Sequence, residues 1–220
     1  AACLAFIACS AESAFSVYVS RARTKAGLVQ KTVSVEENAL SYLEGGMGET
    51  LVLVHGFGGD KDNWTLMAQY LDKRYHLIIP DLPPFGESTK NVNMHYDVES
   101  QADRIHAFLK VLNTGPVFIA GHSMGGEISG MFAAKYPTEV KGLILIDCGG
   151  IDSQVRSDIL AQALKGQDPN PLMVSTVEDF NRMIKYNFAK PPYIPSPVRN
   201  FLAEQAVRNK SLHEKVFADI

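Results

Sequence analysis

The chain has 220 residues, 46% hydrophobic and 20% charged, a balance that supports one sizeable core and excludes a disordered polymer. A net charge of −3, with Lys and Arg scattered along the chain, leaves no basic stripe of the kind that binds nucleic acid. The three cysteines, Cys3, Cys9 and Cys148, have neither metal-ligand spacing nor the pattern of a disulfide framework. No metal or cofactor is expected, and Cys148, after an apolar run, reads as a small buried hydrophobe.

The chain begins without Met, and its N-terminus is expected to be cut or incomplete. Residues 1–8 are apolar and residues 10–16 are rich in small side chains, as in the end of a secretory signal and its cleavage zone. Phe6-Ile7-Ala8-Cys9 also resembles a degenerate lipobox with Cys9 as the lipidated residue, Phe standing where Leu is usual. The alternative is a ragged helix or the remnant of a membrane anchor; the apolar stretch is too short to span a bilayer. Residues 1–28 are therefore assigned to a leader or anchor remnant. A secreted, periplasmic or membrane-anchored location is expected, with peripheral contact to a lipid interface.

Residues 29–35 and 39–44 read as strands, and the glycines of 45–48 as the turn that follows. Residues 51–54 are an unbroken apolar run, as in a strand covered on both faces. A Gly-rich loop follows at 55–59, then a helix over about 64–71 with Asp62 or Asn63 as its cap. Residues 76–79 form a strand closed by Pro80, followed by a Pro- and Gly-bearing loop over 81–96. Val98, Ala102, Ile105, Phe108, Leu109 and Leu112 share one face of a helix over 98–112. A strand at 117–120, a helix at 127–136 and a buried strand at 140–146 complete the alternation. Strand and helix alternating in this way predict an α/β fold, a mainly parallel sheet with helices on both faces, over residues 29–150. Right-handed crossovers then gather the residues after strand ends, His55, Asp81, Ser123 and Asp147, on one rim, where such sheets bind ligands. Residues 151–220 lack strand-like runs and read as a helical lid, its clearest helices at 177–188 and 198–207.

Gly121-His122-Ser123-Met124-Gly125-Gly126 fits G-x-S-x-G between a strand and a helix, the context of a nucleophile elbow. Ser123 is the candidate nucleophile, and Gly121 and Gly125 let strand and helix pass closely. A serine hydroxyl needs a base to take its proton and donors for the oxyanion it creates. The donors expected are the backbone N–H groups of Met124 and of Phe57, with Gly56 permitting close approach and His55 orienting the loop. His122 is expected to pack in the elbow. The base and acid should follow the nucleophile in the chain. Asp147 is the candidate acid at the rim, though an Asp there also suits a turn. His213, the histidine after Ser123, lies in a polar helical setting and is expected to face solvent.

The loop at 55–59, the stretch Asp81-Leu82-Pro83 to Gly86-Glu87-Ser88 and the elbow together resemble the α/β-hydrolase fold family, over residues 33–220. Asp60-Lys61-Asp62-Asn63-Trp64 and Lys190-Pro191-Pro192-Tyr193-Ile194-Pro195 are similar to its bacterial lipases of the Moraxella and Psychrobacter type and its membrane-associated monoacylglycerol lipases of animals. Pro84 departs from the Gly usual in that loop and implies a stiffer turn. The resemblance implies a carboxylic-ester hydrolase acting on lipid esters, with Met173, Phe180, Met183, Ile184, Phe188 and Tyr193 supplying an acyl pocket. The alternatives are another serine hydrolase of this fold, cleaving carbon–carbon bonds or making peracids, and a non-catalytic binding module. Family members continue into two more strands that carry the acid and the histidine. Both are therefore expected beyond Ile220, in a protein of roughly 300 residues. The 220 residues alone are expected to be inactive and to expose a sheet edge.

Overall fold

The computed structural model describes residues 10–151 and 170–220. Cys3, Cys9 and the apolar N-terminal run of residues 1–8 lie outside the described residues. The chain forms two compact units, residues 22–156 with 211–220 and residues 1–21 with 157–210. Residues 211–220, read from the sequence as part of the lid, thus group with the sheet.

The sheet has six strands: β1 (Leu28–Val35), β2 (Asn38–Gly46), β3 (Glu49–Val54), β4 (Tyr75–Pro80), β5 (Val117–His122) and β6 (Val140–Ile146). Their spatial order is β1-β2-β4-β3-β5-β6. β4, β3, β5 and β6 run parallel, while β1 and β2 form an antiparallel hairpin joined to β4. The mainly parallel α/β architecture is as expected from the sequence.

Side chains alternate across the central strands and divide the core in two. Val52 and Val54 of β3 join Ile78, Ile119 and the inner faces of α3 (Val98–Leu112) and α4 (Met124–Lys135). Leu51 and Leu53 join Leu77, Ile79 and Ala120 on the other face, covered by Trp64 and by Ala68 of α2 (Thr65–Ala68). The α3 stripe buries Ala102, Ile105, Phe108 and Leu109 as predicted; Asp97 caps its start and left-handed Asn113 its end.

Three local expectations are corrected. The cap before α2 is Asp60, not Asp62 or Asn63: it opens a 3₁₀ turn, Lys61–Trp64, with Asn63 reciprocating in a capping box. β6 is not buried; Leu143, Ile144 and Leu145 are 39%, 49% and 39% exposed. Its position in the sheet is the reason, since it is the outer strand and pairs only with β5 among the described residues. Cys148 is half-buried rather than fully buried, its thiol donating to Gly149 O at 2.9 Å.

α1 (Ala11–Lys25), whose residues 11–21 belong to the other unit, begins where the sequence suggested a cleavage zone, with Phe15 6.1 Å from Phe201 between ring centres. α5 (Val177–Asn187) starts on a capping box of Thr176 and Asp179, and α6 (Ser196–Arg208) packs on it. Val174, Phe180 and Ala203 are the buried centre, with Met183 and Ile184 against them. Phe180, Met183 and Ile184 therefore form this unit's own core, while Phe188 and Tyr193 are exposed. No described helix is long and apolar enough to cross a membrane. The last helix, α7 (Lys210–Asp219), buries Val216 in the sheet unit, and Asp219 accepts the Tyr96 N–H at 2.9 Å.

Candidate active site

Parallel pairing of β3 with β5 brings Val54 opposite Gly121, so the loop after β3 and the elbow after β5 leave the sheet side by side. Ser123 stands between β5 and α4 with φ 54° and ψ −123°, a backbone conformation that is strained for a residue with a side chain. Its N–H donates to Ile146 O at 3.0 Å and its carbonyl accepts from Gly126 N–H at 2.8 Å, which hold the turn from both sides. Glycine is required on either flank by close approach. A methyl group at Gly121 would stand 2.0 Å from Gly125 O, and one at Gly125 would stand 2.4 Å from the carbonyl oxygens of both Val54 and His55.

The loop at 55–59 lies against Ser123: a methyl placed on Gly56 would be 3.1 Å from Ser123 Cβ. Met124 follows Ser123 as the first residue of α4, where a helix leaves its N–H groups without intrahelical acceptors. The Phe57 ring is held edge-on by Phe85, His213 and Phe217, at 5.7, 5.7 and 6.0 Å between ring centres.

His55 is buried, and both ring nitrogens are occupied. Nδ1 lies 2.8 Å from Gly56 O and donates to it, while Nε2 accepts the Leu82 N–H at 3.0 Å. These two bonds define the neutral tautomer, and burial pushes the imidazole below its usual pKa. His55 therefore ties the loops after β3 and β4 together and is not available as a base.

His122 is exposed, and its ring borders the Gly56 loop: a methyl on Gly56 would stand 3.2 Å from His122 Nδ1. His213 departs from the expected solvent-facing position. It is half-buried, packed on Phe57 and on Phe85, because α7 returns to the sheet unit. Burial, with the Lys90 charge, lowers its pKa to about 4. His76 bonds Glu44 at 2.8 Å, His106 bonds Glu139 at 3.2 Å, and His95 is exposed. Among the described residues no imidazole is hydrogen-bonded to Ser123 Oγ. Asp147 follows Ile146, the acceptor of the Ser123 N–H; it is exposed, has φ 44°, and pairs with no histidine among the described residues. Cys148 does not compete as a nucleophile, since burial and the Glu127 charge raise its thiol pKa and keep it protonated.

Sequence reasoning missed a buried ion pair at this rim. Lys61 and Asp81 are 1% and 0% exposed, with Nζ 2.7 Å from Oδ2. Asp81 also accepts the N–H groups of Lys61 at 2.7 Å and Glu87 at 2.8 Å. The available signal was Asp81 at a strand end, twenty positions from an unremarkable Lys.

Residues 49–198 match the α/β-hydrolase fold family. The chain is similar to Lipase 1 of Psychrobacter immobilis, 40% identical over 204 residues that cover 90% of this chain and 63% of that protein. It is also similar to monoacylglycerol lipase ABHD6 of Homo sapiens, 27% identical over 178 residues, covering 78% and 53% of the two. Among solved structures, a membrane phospholipase A, a bacterial virulence factor, superposes with a TM-score of 0.91 at 36% identity, covering 95% of this chain and 67% of that one. The chain thus spans less than two thirds of the length of the two lipases.

Proposed function

The chain belongs to the α/β-hydrolase fold family, and from that premise we propose that it supplies the nucleophile and oxyanion hole of a carboxylic-ester hydrolase acting on lipid esters, monoacylglycerols among them. Ser123 Oγ attacks the ester carbonyl, an imidazole takes its proton, and the N–H groups of Met124 and Phe57 receive the oxyanion. The alcohol leaves with that proton, and water then releases the acid from the acyl-enzyme. One observation carries the reading: a strained Ser123 on a strand–turn–helix, with the Gly56 loop so close that a methyl on Gly56 would stand 3.1 Å from the Ser123 Cβ. The similarity to Lipase 1 and to the monoacylglycerol lipase supports a lipid ester as the substrate class.

A fluorophosphonate probe tests the reading on the protein as the cell makes it. Labelling at Ser123 and loss of p-nitrophenyl ester turnover by at least about 10⁴-fold in Ser123→Ala are expected. Ester cleavage retained by Ser123→Ala, or an unlabelled Ser123, removes the enzyme reading. The second result would favour a non-catalytic binding module. Product analysis with lipid esters, diketones and peroxide separates ester hydrolysis from carbon–carbon cleavage and peracid formation.

A further inference from the structure

The two oxyanion donors are held by different means. Met124 N–H is fixed by the helix it begins. Phe57 lies in a stretch, residues 55–60, that has neither helix nor strand to fix it. A backbone turn closes over it, Gly59 N–H donating to Gly56 O at 3.1 Å, and two buried side-chain ties on either side in the chain hold that turn against the sheet. On one side, His55 donates to Gly56 O and accepts from Leu82 N–H. On the other, both the N–H and the Nζ of Lys61 bond the Asp81 carboxylate.

Asp81 is itself anchored to β2. Its N–H donates to Ser41 O at 2.8 Å; its carbonyl accepts from Ser88 Oγ at 2.8 Å, and that oxygen accepts from Ser41 N–H at 2.9 Å. A rigid path therefore runs from β2 through Asp81 and Lys61 to the loop. A buried ion pair is weak evidence for stability, since apolar side chains often replace such pairs without loss. Glu87, half in solvent at 57% exposure, reaches Lys61 Nζ only at 3.3 Å and is the weaker partner.

We propose that the buried Lys61–Asp81 pair, with His55, is a positioning clamp that sets the Phe57 N–H against the developing oxyanion, so that it acts on the chemical step and not on substrate binding. This rests on the ester-hydrolase reading. Neither Lys61 nor Asp81 touches substrate; both act through the Phe57 backbone. A donor displaced by about 1 Å costs on the order of 10²-fold in rate, and one lost outright 10²–10³-fold.

Lys61→Met tests the clamp on the full protein, with p-nitrophenyl butyrate as substrate and a fluorophosphonate as the covalent probe. The expected result is a 10- to 100-fold fall in kcat and a matching fall in phosphonylation rate, with KM within about twofold and a cooperative melt retained. Lys61→Arg, which keeps the charge, is expected to recover part of kcat. An unchanged kcat in folded Lys61→Met overturns the clamp, as does a loss carried mainly by KM. Should Lys61→Met not fold, His55→Phe keeps a buried ring, removes the opposite tie and is judged by the same kcat-against-KM split. Failure of the parent reading is distinguishable, because there the wild-type Ser123 is not labelled, whereas a failed clamp leaves Ser123 labelled at the wild-type rate in Lys61→Met.

Discussion

The rim of the sheet is built to two standards. Where β3, β4 and β5 end, every loop is tied: His55 to Leu82, Lys61 to Asp81, Ser123 to Ile146. Where β6 ends, Asp147 is exposed and left-handed, and the strand before it presents Leu143, Ile144 and Leu145 to solvent. The first side holds the candidate nucleophile, Ser123, and the loop proposed to face the oxyanion; the second holds the candidate acid, Asp147. The groups to which the proposed reaction gives a role are thus placed by buried polar bonds in a low-dielectric setting, where each bond is stronger than in water. At the β6 end, Ile146 O accepts the Ser123 N–H, whereas Asp147 beyond it pairs with no histidine among the described residues.

The largest effect expected from disturbing this contrast comes from Gly125→Ala. Alanine would raise intrinsic helix propensity by about 1 kcal/mol. Its methyl, however, meets two backbone carbonyl oxygens at 2.4 Å, those of Val54 and His55, and backbone cannot rotate away as a side chain can. Overpacking of this kind costs about 3 kcal/mol and separates the elbow from the loop beside it. A urea melt and the rate of fluorophosphonate labelling should both fall. Stability at or above wild type would show that the seam is looser than its geometry.

The middle effect has the opposite sign and lies within the tied side. Asp60 caps the turn that carries Lys61, and burial, with the neighbouring charges of Asp81 and Asp62, raises its pKa from 3.8 to about 6. A carboxyl group with a raised folded pKa binds more protons folded than unfolded. Its favourable contribution is complete below about pH 4 and is lost as pH rises towards 6. Asp60→Asn keeps a capping oxygen and removes the charge. It should stabilise the protein by about 2 kcal/mol at pH 7.5, with the difference from wild type vanishing near pH 4. Denaturant melts at the two pH values check this, and equal differences at both would refute the electrostatic account.

Much of this contrast was legible before any coordinates, and the part that was not is instructive. The strand at residues 51–54, the α3 stripe and the G-x-S-x-G turn are local patterns of hydrophobic period and glycine placement, and each lies where the pattern put it. What escaped was non-local. Lys61 and Asp81 are twenty residues apart and meet only because β3 and β4 are neighbours in the sheet. His213 looked solvent-facing because its flanks are polar, yet α7 folds back onto Phe57 and Phe85. β6 has the composition of a buried strand, and only the order of strands makes it an edge. Asp60 lost to Asp62 and Asn63 as the expected cap because a 3₁₀ turn precedes α2, and hydrophobic periodicity does not register so short an element.

The smallest effect should come from the open side. Ile144 lies in the middle of β6 and is 49% exposed, so Ile144→Lys removes little buried surface. In the 220 residues alone, the change in unfolding free energy should stay within about 0.5 kcal/mol, the range of surface substitutions. A lysine on an edge strand opposes pairing with another edge, so concentration-dependent self-association, followed by sedimentation velocity, should decrease. A core residue on the tied side behaves differently: Ile119 on β5 is fully buried, and truncating it to Ala would cost about 2–5 kcal/mol. The contrast therefore rests on the size of the Ile144→Lys effect. A loss above about 2 kcal/mol would mean that something covers β6 in solution, and the rim would then have one standard of construction rather than two.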